Sequence, residues 1–90
     1  MQTIYKYSIP INDFFNIELP ASAKILTVQI QNNTPCIWAL TSTDESTVNR
    51  QFMLRGTGHP IADDDVERFK YVGTFQLHDG QIVFHLFEEI

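Results

Sequence analysis

The stretch Lys70-Tyr71-Val72-Gly73-Thr74-Phe75-Gln76-Leu77-His78-Asp79-Gly80-Gln81-Ile82-Val83-Phe84-His85-Leu86-Phe87 decides the fold. Asp79-Gly80 supplies two central turn residues that tolerate positive φ, which is what a type I′ hairpin requires. Centring the hairpin on that pair predicts its register. Leu77 then faces Ile82, Phe75 faces Phe84 and Gly73 faces Leu86 on one apolar side, while Gln76 meets Val83 and Thr74 meets His85 on the other.

Working outward, the same period of two recurs in short runs rich in β-branched and aromatic residues. It predicts strands over 3–8, 14–19, 24–31, 36–41, 48–55, 70–77 and 81–87. A second reversal falls at Gln31-Asn32-Asn33-Thr34-Pro35. It leads into Cys36-Ile37-Trp38-Ala39-Leu40, whose unbroken apolar character predicts a central strand covered on both faces, with Trp38 inside. Pro10 and Pro20 lack an N–H donor and mark edges or turns. One short helical turn is expected within 62–69, with Asp63 or Asp64 as N-cap and Val66 and Phe69 at helical spacing. The expected architecture is an all-β, mainly antiparallel single domain over 1–90, a small sandwich or open barrel of about six or seven strands.

Composition narrows the function classes. Six Lys and Arg against eleven Asp and Glu give a formal charge of −5, which opposes a duplex phosphate backbone. Cys36 is the only cysteine, so no intrachain disulfide can form and cysteine-based zinc sites are excluded. No segment has the run of about 20 apolar residues needed to span a bilayer, and the first residues do not read as a signal peptide. A cytoplasmic protein is the expectation. A core this small also makes a homo-oligomer an expected state.

The motif that carries most chemistry is Arg55-Gly56-Thr57-Gly58-His59-Pro60. Two glycines around a threonine let backbone N–H groups converge on an anion, and Arg55 can close such a nest. The spacing matches neither a P-loop nor the dinucleotide fingerprint, and a bend out of a strand before Pro60 explains the same residues. Around it, Arg50 or Arg68 adds charge, and Phe52 or Tyr71 offers a face on which a nucleobase can stack. His59, His78 and His85 lack metal-binding spacing, and Asp63-Asp64-Asp65 lacks the alternation of a calcium loop, so neither a metal nor another cofactor is expected. No serine or cysteine sits in a nucleophile motif, and Cys36 lies in an apolar strand that opposes its ionisation, so no enzyme is expected.

Six anchors stand in order: Ile4-Tyr5-Lys6-Tyr7, Lys24-Ile25-Leu26-Thr27-Val28-Gln29, Pro35-Cys36-Ile37-Trp38-Ala39-Leu40, Gly56-Thr57-Gly58-His59-Pro60-Ile61, Tyr71-Val72-Gly73-Thr74-Phe75-Gln76 and Val83-Phe84-His85-Leu86-Phe87-Glu88. As a set they resemble a family of small uncharacterised proteins of tailed phages, prophages and bacteria. The resemblance transfers no catalytic residue. It implies a phage-related, non-enzymatic binding protein, such as an anti-defence sponge that sequesters a nucleotide-like signalling molecule. Two other classes stay open: an acidic inhibitor or adaptor that engages a host or phage protein, and a self-assembling virion accessory protein.

Overall fold

A computed structural model describes residues 1–90. Seven strands and one helix follow in order: β1 (Gln2–Ser8), β2 (Phe14–Pro20), β3 (Lys24–Gln31), β4 (Thr34–Ser42), β5 (Thr47–Gly56), α1 (Asp63–Arg68), β6 (Phe69–Leu77) and β7 (Ile82–Glu89). They form two antiparallel sheets, β1-β4-β3 and β2-β5-β7-β6. Neither closes into a barrel, and the sheets approach each other where β3 lies against β6. There the backbone must come close: a Cβ on Gly73 would sit 3.0 Å from Cγ1 of Val28.

The final hairpin has the expected register from Gly73↔Leu86 to Leu77↔Ile82. Asp79 and Gly80 both take positive φ, 56° and 87°, and Gln81 N–H donates to the carbonyl of His78 at 3.1 Å. His78 is itself left-handed, so the alternation stops one residue earlier than the turn pair suggests. The β3–β4 hairpin turns on Asn32 and Asn33, both at positive φ, because asparagine tolerates the left-handed region better than most residues.

The core lies between the sheets. Ile37 and Ala39 of β4 and Val28 of β3 meet Leu19, Phe52, Leu54, Phe75 and Leu86 from the other sheet. The strand containing Trp38 is indeed the middle one of its sheet, but it is covered on one face only. Trp38 and Leu40 point away from the core and are half-buried, because no connection crosses that side. The helix also departs from expectation. Its N-cap is Ala62, which makes no side-chain cap bond, and Asp63, Asp64 and Asp65 form its first turn. Val66 is exposed while Phe69 is buried as the first residue of β6, so the two do not share a helical face.

Strands β5 and β6 both run antiparallel to β7 and are therefore parallel to each other. The chain between them, 57–68, returns along the length of the sheet past β7. With the inner face taken by the core, this return runs over the outer face.

Candidate functional site

The inner face of β5, β7 and β6 is apolar along most of its length and becomes charged at one end. Register places Glu88 on the core face opposite Phe52, with Lys70 beside it as its partner on β6. Arg50, two residues before Phe52 on β5, shares that face. Its Nε donates to Oε2 of Glu88 at 2.5 Å, and its Nη1 donates to the carbonyl of Ala23. Glu88 is 3% exposed, and a carboxylate buried this deeply is tolerable only with a charged donor in contact. The pair also aligns Arg50. A guanidinium has five N–H donors, so those not directed at Glu88 and Ala23 remain for a ligand. Lys70 is exposed and takes part in no ion pair.

These three residues border a pocket of about 330 Å³, completed by Ala23, Lys24, Ile25, Tyr71 and Val72. Lys24 pairs with Leu40 on the outer side of its own sheet, so its ammonium is not part of the cationic pair. Tyr71 is 54% exposed, and its ring is braced edge-on by Phe87 at 5.2 Å. Its hydroxyl bonds Thr74 and Nδ1 of His85, the latter at 2.8 Å. The other ring nitrogen of His85, Nε2, bonds Oγ1 of Thr57 at 2.7 Å. His85 thus ties the start of the crossover to the β6 edge.

The residues singled out in the sequence fall into separate places. Arg50 and Tyr71 both border the charged pocket, but the Tyr71 ring lies on the outer face with Phe87 and His85, across the sheet from the Arg50 guanidinium. Phe52 is fully buried, stacked on Phe15 at 5.4 Å, and presents no face to a ligand. Arg68 ion-pairs with Asp65 and Glu89 and lies over the Phe69 ring. Arg55 lies on the outer face, donating to the carbonyls of Leu54 at 2.7 Å and Asp13 at 3.2 Å, with its guanidinium 4.9 Å from the Phe14 ring centre.

Arg55 therefore does not close a nest with Gly56-Thr57-Gly58-His59. Within that loop, Thr57 N–H donates to Val83 and His59 N–H to Gly56, so both are engaged by backbone carbonyls. The loop borders its own pocket of about 440 Å³ with Gln81, Ile82, Val83 and Phe84, and no Lys or Arg lines it. Gly58 takes φ +85°, and the His59 ring packs against Gly56. His78 is exposed at the hairpin tip, and no group of three or more His, Cys, Asp or Glu has a metal-binding arrangement. Cys36 is buried. Lys70 and Glu88, which complete the charged pocket, escape a reading of the sequence.

The model of a family described as a domain of unknown function, DUF7352, matches residues 1–90, and the chain belongs to that family. No curated protein and no solved structure is matched. No helix of the chain is long and apolar enough to cross a membrane.

Proposed function

We propose that the chain is a non-enzymatic binding protein that holds a small phosphorylated, nucleotide-like ligand in the cleft between β3 and β6. Arg50 and Lys70 take the phosphate at the inner end of the sheet. One observation carries this reading: Glu88 orients Arg50 from below, and an unpaired Lys70 stands beside it at the mouth of a pocket in an otherwise acidic chain. The pocket volume lies at the lower end of the range for small-ligand sites. The phage context implied by the resemblance makes sequestration of a host signalling nucleotide, in the host cytoplasm, the role this binding serves.

Thermal unfolding against a panel of mono-, di- and cyclic nucleotides tests it, because a ligand that binds only the folded chain raises the melting temperature. At least one nucleotide should stabilise the protein. Lys70→Ala should weaken that effect about tenfold in apparent affinity, with the ligand-free melting temperature nearly unchanged, because the side chain is exposed and unpaired. A panel without any shift at millimolar concentration, or an unaltered response in Lys70→Ala, refutes the assignment.

A further inference from the structure

The charges of this protein are segregated by sheet. Strands β1, β3 and β4 contain Lys6 and Lys24 and no Asp or Glu. The rest of the chain carries four basic and all eleven acidic residues, a formal −7 against +2 for the sheet. The bare face of that sheet is organised in two cross-strand rows. Ile4, Leu40 and Lys24 form one, and Lys6, Trp38 and Thr27 form the other. Ile4 is 54% exposed, and Leu26, at the β3 bulge beside these rows, is 44% exposed. Lys6 is held across the sheet by a hydrogen bond to Gln31.

A surface of opposite character lies on α1. Asp63, Asp64, Asp65 and Glu67 surround Val66, which is 58% exposed although it is the only aliphatic residue of that helix. The two surfaces complement each other in charge, and each offers apolar area. Two copies of the sheet face would instead set lysines against lysines with no carboxylate nearby, which is unfavourable.

We infer that the outer face of β1-β4-β3 docks the acidic α1 turn of a second copy of this chain, in a head-to-tail contact. Three strands about 4.8 Å apart and about seven residues long make a face of roughly 350 Å² in plan. That is below the roughly 800 Å² per partner of a stable complex, so the association is weak and reversible. A contact between unlike surfaces also leaves one of each free, so it propagates into rings or longer assemblies.

Sedimentation velocity over a wide concentration range tests this. Weight-average mass should rise with concentration at low salt and fall back toward the monomer at high salt, since exposed charges about a Debye length apart are screened. The pair Lys6→Glu and Lys24→Glu should weaken association at least tenfold, and so should Asp64→Lys with Glu67→Lys. Mixing the two charge-reversed proteins should restore it, because one interface of native polarity and one of swapped polarity then form. Circular dichroism confirms that each variant is folded. A monomer at all concentrations overturns the inference. So does an assembly that ignores the lysine reversals, which would indicate pairing through a different face, and so does a mixture that stays monomeric.

Discussion

The two sheets treat their outer faces differently. On β2-β5-β7-β6, Met53 points away from the core yet is fully buried, Phe69 is 4% exposed, and Phe14, Phe87 and Tyr71 complete a second apolar layer. On β1-β4-β3 the corresponding side shows half-buried Trp38 and Leu40 beside exposed Ile4 and Leu26. The cause is connectivity. Parallel neighbours of β7 oblige the chain to return over one sheet, whereas the other sheet is joined by a hairpin and by jumps at its ends, so nothing passes over it. An apolar residue facing outward is thus stabilising on one sheet and available to a partner on the other.

Substituting matched positions is the most direct way to break that contrast. Met53→Ala should destabilise by about 2 to 4 kcal/mol, as a large-to-small change in a packed site does. Leu26→Ala should cost less than about 1 kcal/mol, because its environment is already half water. Urea unfolding monitored by tryptophan fluorescence measures both. Equal losses would mean that the outer face of β1-β4-β3 is covered as well, and the docking surface would disappear with that result.

A smaller effect probes the root of the crossover. A methyl group added to Gly56 would stand 2.8 Å from Cε1 and 2.9 Å from Nδ1 of His59. The imidazole can swing away, so Gly56→Ala should cost about 1 kcal/mol, as modest overpacking does. His59→Ala in the same chain should recover most of the loss. A double-mutant cycle then reports a coupling of about 0.5 to 1 kcal/mol; no coupling would show that the ring does not rest on the glycine in solution.

The fold was largely legible because its local signals agree. Alternation, the Asp79-Gly80 turn and the proline positions all point to strands and to one hairpin register. The strand order was not, because β1 beside β4 and β2 beside β5 are long-range pairings that neither turn chemistry nor periodicity encodes. The charged pocket was hidden by a single irregularity. Continuing the hairpin register from Gly73↔Leu86 would set Tyr71 opposite Glu88 and turn Lys70 outward. A bulge between Tyr71 and Gly73 shifts the register by one residue, so Lys70 faces Glu88 and points inward. Gly73 was the available hint, since glycine within a strand often marks a bulge or a close backbone approach. Arg50 and Tyr71 could be named for their chemistry, but nothing in the sequence said that Glu88, two residues before the last, would be buried against the arginine.

The contrast between covered and open faces also predicts a pH response within β1. Tyr7 pairs with Ile37 on the core side, and burial raises its pKa above the ordinary 10.0, with neighbouring Tyr5 adding to the rise. The neutral phenol is therefore the form that the folded chain favours. Above the unfolded-state value the unfolded chain releases this proton first, so the folded state binds more protons and loses stability as pH rises. The contribution is complete below about pH 10 and disappears as pH climbs through the elevated pKa of Tyr7. Urea midpoints measured from neutral to strongly alkaline pH should stay flat with respect to this group and then decline. Tyr7→Phe should remove part of that decline while keeping the ring in the core. An identical alkaline slope in both proteins would place the Tyr7 hydroxyl in water and make the inner face of β1 as open as its outer one.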